Sequence, residues 1–157
     1  MGTPNIKFAR IDNRLVHGQV GNAWAGASHA NLIVVVDDEA AEDKMQQAMM
    51  KMTADASCIG IRFFSVQKTI DVIFDAAPEQ EIFIVCKTPA VMRKLIEAGV
   101  PIVEVNIGNM HDNGKKKVFK EPHVYVDDAD IADIEAIKGK GVKVYIQMAP
   151  ADRKIIV

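Results

Sequence analysis

Apolar residues along this chain fall into two rhythms that take turns. Short runs at 5–10, 32–36, 59–64, 82–86, 102–107 and 142–148 alternate residue by residue or are continuously apolar, so they predict strands. The run L-I-V-V-V at 32–36 has no polar position, as expected of a strand covered on both faces. Between these runs the apolar positions take helical spacing. Residues 39–53 put Ala41, Met45, Ala48, Met49 and Met52 on one side, which predicts a helix whose methionine stripe fills core.

Ser65 reads as the cap of a helix burying Val66, Ile70, Ile73 and Ala77. Thr88 followed by Pro89 reads as a cap and a first-turn proline, with Gly99 closing that helix. Residues 108–117 read as a polar loop and 128–138 as a helix. Residues 118–126 are strand-like, but Pro122 confines them to an edge or an irregular segment. Strands alternating with helices predict one α/β domain over residues 1–157, doubly wound, with a mainly parallel sheet and helices on both faces.

Composition narrows the function classes. The charge balance of 19 − 21 = −2 lacks the basic excess that nucleic-acid binding uses to neutralise phosphates. Cys58 and Cys86 each sit in an apolar strand-like run, so both are expected as buried, reduced thiols, and neither has zinc-site spacing. No apolar stretch approaches the roughly 18 residues of a membrane span. The start M-G-T-P leads into a strand without a leader pattern, and Ile6 stands where a myristoylation motif needs Ser or Thr. A cytosolic protein is expected.

In an open α/β sheet the site lies beyond the carboxyl ends of the strands. Four segments compete there: 11–18, 37–39, 87–89 and 108–114. The first is the densest, gathering Arg10, Asp12, Arg14 and His17 within eight residues. Arginine forks suit a phosphoryl group, and a helix starting near Gly18 would add backbone N–H groups. Gly18 itself leaves room beside the imidazole. A neutral imidazole is a good nucleophile toward phosphorus, and Asp12 is placed to hold an arginine or orient His17. The same residues also fit a solvated loop with a capping aspartate and a packed histidine.

Asp37 and Asp38 with Lys87 resemble an acid pocket that stores phosphate on aspartate, but the intervening strand ends at Ser65 rather than an aspartate. They read instead as helix caps. The 108–117 loop lacks the Walker pattern, and its lysines 115–117 read as solvated. His29 and His123 read as structural or exposed. Near His17, Trp24 reads as core packing and Val16 as a contact for a docking partner.

R-I-D-N-R-L-V-H-G-Q-V, starting at Arg10, resembles the IIB components of the mannose/fructose/sorbose family of the sugar phosphotransferase system. Supporting stretches are A-N-L-I-V-V-V-D-D-E from Ala30, C-K-T-P from Cys86, V-N-I-G-N-M-H from Val105 and V-Y-V-D-D from Val124. G-I-R-F-F from Gly60, with Gln67, Lys68 and Thr69, and G-N-M-H from Gly108 are most similar to the N-acetylgalactosamine or galactosamine type.

The resemblance implies a seven-stranded, mainly parallel sheet. It implies a phosphocarrier that takes phosphate on His17 from a IIA protein and passes it to a sugar held by membrane IIC and IID components. Arg10 and Arg14 match the family's phosphate-contacting arginines and Asp12 its loop aspartate, and the phosphate is expected on Nδ1. No metal or organic cofactor is implied, and the protein would be peripheral to the membrane through IIC and IID. A non-covalent binding module for phosphorylated metabolites and a purely regulatory partner stay open as other classes.

Overall fold

The computed structural model describes residues 2–18 and 20–157; Met1 and Gln19, the latter part of the first-loop motif, lie outside the described residues. Its sheet is built from β1 (Asn5–Asp12), β2 (Leu32–Val36), β3 (Gly60–Phe64), β4 (Glu81–Cys86), β5 (Glu104–Asn109), β8 (Lys143–Ile146) and β9 (Ile155–Ile156). The order is β3-β2-β4-β1-β5-β8-β9, parallel except for the antiparallel pairing of β9 on β8. From β1 the chain crosses to β2 on one side, and from β4 it returns to β5 on the other. The end of β1 is therefore the switch point where such sheets open a crevice. The mainly parallel seven-stranded sheet matches the expectation; the short edge strand β9 carried too little pattern to be foreseen.

Alternation along β4 separates two cores. Ile82, Ile84 and Cys86 join one cluster with Met92, Leu95, Ile134 and Ile137, while Phe83 and Val85 join another with Leu15, Trp24, Met50 and Ala54. The first face is covered by α3 (Val66–Val72), α4 (Pro89–Glu97) and α5 (Asp128–Gly139). The second is covered by a π-helical turn (Val20–Trp24), α1 (Ala25–Ser28) and α2 (Lys44–Ala56). Helix starts follow their caps: Ser65 Oγ accepts from the Lys68 N–H, and Thr88 Oγ1 from the Val91 N–H with Pro89 in the first turn. Gly99, at φ 95°, closes α4 where a side chain would be strained.

Several expectations are revised. Helix α2 starts at Lys44, because Asp43 caps it by accepting from the Met45 and Gln46 N–H groups; a 3-10 turn at Ala40–Glu42 precedes it. Its methionine stripe faces outward: Met45, Met49 and Met52 are 76%, 65% and 73% exposed, and the helix is anchored by Met50 and Ala54. The 3.6-residue period placed those methionines on one side but could not say which side meets the sheet. Cys58 lies exposed in a turn at φ 56° rather than in a strand; only Cys86 is buried, its thiol pushed up to about 12 by desolvation. Residues 117–126 form a separate antiparallel hairpin, β6 (Lys117–Phe119) with β7 (Glu121–Val126), which touches the main sheet's end through a Met110–Val124 bridge. Among the described residues no helix is long and apolar enough to cross a membrane.

Candidate functional site

Strand β1 brings alternate residues to one face. Ala9 and Ile11 enter the first core, so Phe8, Arg10 and Asp12 point toward the side of Trp24. Past the strand the chain turns tightly: the Leu15 N–H donates to the Asp12 carbonyl at 2.9 Å, and the Arg14 N–H donates to Asp12 Oδ1 at 2.9 Å. Leu15 takes a left-handed φ of 57° and is 2% exposed. Its buried side chain helps hold this unusual backbone, which costs energy of its own. The Asn13 N–H donates to the Asn109 carbonyl, and Asn109 Nδ2 donates to Asn13 Oδ1, pinning the turn to the end of β5.

Asp12 is the centre of the arrangement. Its carboxylate is fully buried, yet it meets Arg10 NH2 at 3.2 Å, Arg14 Nε at 3.2 Å and His17 Nε2 at 3.0 Å. Burial pushes its pKa up, but hydrogen bonds from His17 and Arg14 and the charge of Arg10 outweigh burial and hold it down to about 2. An ionised carboxylate can only accept, so neutral His17 carries its proton on Nε2 and leaves the Nδ1 lone pair free. The His17 side chain is 22% exposed and that of Arg14 42%.

The two arginines differ sharply. Both were expected to meet a phosphoryl group, but Arg10 has no exposed surface. Its terminal nitrogens donate to Asn106 Oδ1, Asp12 Oδ2 and the carbonyls of Gln147 and Met148. Its guanidinium also lies over the Trp24 ring, 5.2 Å from the centroid. Trp24 is core, stacked on Phe8, and its Nε1–H donates to the Met148 carbonyl at 2.9 Å. Only Arg14 of the pair reaches the surface.

The wound segment after His17 is a π-helical turn leading into four residues of α-helix. An ideal Cβ on Gly18 would meet nothing within 4 Å, so close packing does not require that glycine. The close approach is at Gly21, where a Cβ would stand 2.1 Å from Thr53 Cγ2. Val16 is 5% exposed and belongs to the second core, so it is not a docking contact.

The other three segments converge on the same end of the sheet, and a cavity of about 90 Å³ there is lined by residues including Asn13, Lys87, His111 and Lys116. Asp37 caps the 3-10 turn through the Ala40 N–H, and Asp38 accepts from the Val66 N–H at the start of α3. Lys87 pairs with Asp37 at 3.5 Å. Lys116 is not solvated as expected: its ammonium sits 2.7 Å from buried Asp130. Among the described residues no group of three or more His, Cys, Asp or Glu is placed to hold a metal ion. Asn106, Gly108 and Gln147 were missed as site residues. Their signal was register: the alternation in V-N-I-G puts Asn106 and Gly108 on the Arg10 face of a neighbouring strand.

A family profile described as PTS system sorbose subfamily IIB component matches residues 6–156. The chain is 53% identical to the N-acetylgalactosamine-specific phosphotransferase enzyme IIB component 1 of Escherichia coli, over 98% of this chain and 97% of that protein. It is 34% identical to the fructose-specific EIIB component of Bacillus subtilis, over 94% of this chain and 90% of that protein. The crystal structure of the Escherichia coli N-acetylgalactosamine-specific IIB component 1 superposes with a TM-score of 0.93 at 52% identity, covering 98% of this chain and 99% of that one.

Proposed function

The chain belongs to the sorbose-subfamily IIB components of the phosphotransferase system, and from that premise we propose that it carries a phosphoryl group on Nδ1 of His17, on the way from a IIA phosphodonor to a sugar. The observation that carries this reading is the hydrogen bond between His17 Nε2 and Asp12 Oδ2 at 3.0 Å. It fixes the tautomer and aims the free nitrogen away from the buried carboxylate. The Nδ1 lone pair attacks the phosphorus of the donor phosphohistidine. The donor imidazole leaves with the old P–N electron pair, and the positive charge gained by the His17 ring is met by Asp12. Arg14, half in solvent, supplies the guanidinium that faces the phosphoryl oxygens. In the onward step a sugar hydroxyl attacks the phosphorus and gives its proton to water, and His17 departs with the P–N pair as the neutral Nε2–H imidazole.

Identity of 53% to an N-acetylgalactosamine-specific protein against 34% to a fructose-specific one supports N-acetylgalactosamine, or its deacetylated form, as the sugar. The partners of this reading are a IIA protein and the IIC and IID components of a membrane complex, with the chain at the cytoplasmic face. The test is intact mass after incubation with phosphoenolpyruvate, the general phosphotransferase proteins and a cognate IIA. One acid-labile, base-stable phosphate is expected, lost in His17→Ala while circular dichroism shows the fold retained. A His17→Ala protein that still takes up one equivalent would move the site elsewhere.

A further inference from the structure

We propose that Asn106, Gly108 and the carbonyls of Gln147 and Met148 form a buried clamp that orients His17 through Arg10 and Asp12. Arg10 is then a positioning residue rather than a ligand of the phosphoryl group. The proposal rests on the reading of His17 as the phosphoryl acceptor.

Four hydrogen bonds occupy the terminal nitrogens of Arg10: NH1 donates to Asn106 Oδ1 and the Gln147 carbonyl, NH2 to Asp12 Oδ2 and the Met148 carbonyl. Each terminal nitrogen has two protons, so both are spent; Nε, buried, has no acceptor among the described residues. At the terminal nitrogens a phosphoryl group could bind Arg10 only by displacing these acceptors, and Nε, which has none, is buried. With no exposed surface on the side chain, it would also have to open the core.

The clamp is built from both neighbouring elements. Arg10 pairs in register with Asn106 on β5, and Asn106 Nδ2 also donates to the Gln147 carbonyl, closing a triangle between β1, β5 and the end of β8. Gln147 Nε2 donates to the carbonyls of Pro150 and Asp152, fixing the loop that presents those carbonyls. Trp24 ties the same loop to the other wall through its bond to the Met148 carbonyl. Gly108 is required by space: a Cβ there would lie 2.1 Å from both Cζ and NH2 of Arg10. Three acceptors, a glycine gap and an aromatic face therefore converge on one cation whose remaining partner is the carboxylate that holds His17.

The test uses the full chain as Asn106→Leu, Asn106→Asp and Gly108→Ala. Two quantities are read: the rate of His17 phosphorylation against IIA concentration, and the imidazole 15N spectrum of the unphosphorylated protein. In wild type the spectrum should show the Nε2–H form. Asn106→Leu and Gly108→Ala should cut the rate at saturating IIA on the order of 100-fold, leave the apparent affinity for IIA unchanged, and show both tautomers. Asn106→Asp keeps an acceptor for Arg10 but loses the Nδ2 donor to the Gln147 carbonyl, so it should recover part of the rate and favour the Nε2–H tautomer over what Asn106→Leu shows. If Asn106→Leu does not fold, Gly108→Ala against wild type reads the same two quantities.

A wild-type rate and a single tautomer in Gly108→Ala would overturn the clamp. So would a loss confined to the affinity for IIA, which would make Arg10 a contact for the incoming phosphoryl group. If wild type takes no phosphate on His17, the reading of function fails, whereas a tautomer change in the variants would still support the clamp.

Discussion

Asp12 collects three positively polarised partners around a fully buried carboxylate, and this makes its ionised state part of the fold. Its ordinary pKa of 3.8 is held down to about 2. The unfolded chain therefore binds the proton more readily than the native one. The stabilisation is complete above about pH 4 and is lost as pH falls toward 2, amounting to about 2 kcal/mol. Urea melts at pH 5 and pH 2.5 should show that loss, and Asp12→Asn should lack this share of it. At neutral pH the same variant should be less stable by about 3 kcal/mol, because Arg10 is left buried without a counter-charge. A variant as stable as wild type at pH 7 would show that Arg10 does not depend on Asp12.

Two surface cations of the same sign do opposite work. Arg14→Ala should slow phosphotransfer on the order of 100-fold and leave the melting temperature nearly unmoved, since its guanidinium is partly exposed. Lys116→Ala should leave transfer near wild type but cost on the order of 1 kcal/mol of stability, because it leaves buried Asp130 with the Asp127 N–H but without its counter-charge. Both follow from coupled measurements of rate and thermal melting. Equal rate losses in the two would remove the case for Arg14 as the phosphoryl contact.

At the scale of elements, the segment after His17 is placed by its packing on α2. Gly21 allows the π-helical turn to lie against Thr53, and the Gly21 N–H donates to the His17 carbonyl at 2.8 Å. Gly21→Ala should therefore destabilise the protein by about 1–3 kcal/mol through overpacking. Thr53→Ser removes the methyl that the new Cβ would strike and leaves Thr53 Cβ at 3.4 Å, an ordinary contact. The double variant should recover most of the loss in a thermal double-mutant cycle. Strict additivity would show that the glycine serves backbone conformation rather than this contact.

For the whole molecule, stability should grade outward from the strands that flank the switch point. β1 and β4 are paired on both sides and covered on both faces, whereas β9 is two residues long and β6 is largely exposed, with β7 of that hairpin packing Val124 and Val126 into the first core. Native-state hydrogen exchange should be slowest in β1, β2, β4 and β5 and fastest in β6, β9 and residues 111–116. A β6 strand as protected as β4 would mean that the whole hairpin folds as one unit with the sheet.

The order of strands and helices, the caps at Ser65 and Thr88, and the density of charge around His17 were legible in the sequence, because each depends on neighbours within a few residues. Local period and local hydrogen bonding are properties of a segment, whatever packs against it. The direction each face turned was not legible. The methionines of α2 share a side by helical spacing, but only packing against the sheet decided that this side is outward. Val16 and Lys116 look like loop residues in one dimension and are tied down by partners far along the chain. Arg10 is the clearest case: its charge and position suggested a phosphate ligand, yet its acceptors come from Asn106, Gln147 and Met148, about a hundred residues or more away. The sequence by itself determined which groups were available for chemistry. Only the tertiary structure decided which arginine is buried against Asp12, Asn106 and two carbonyls and which keeps an exposed guanidinium, because burial depends on what the rest of the chain packs around each.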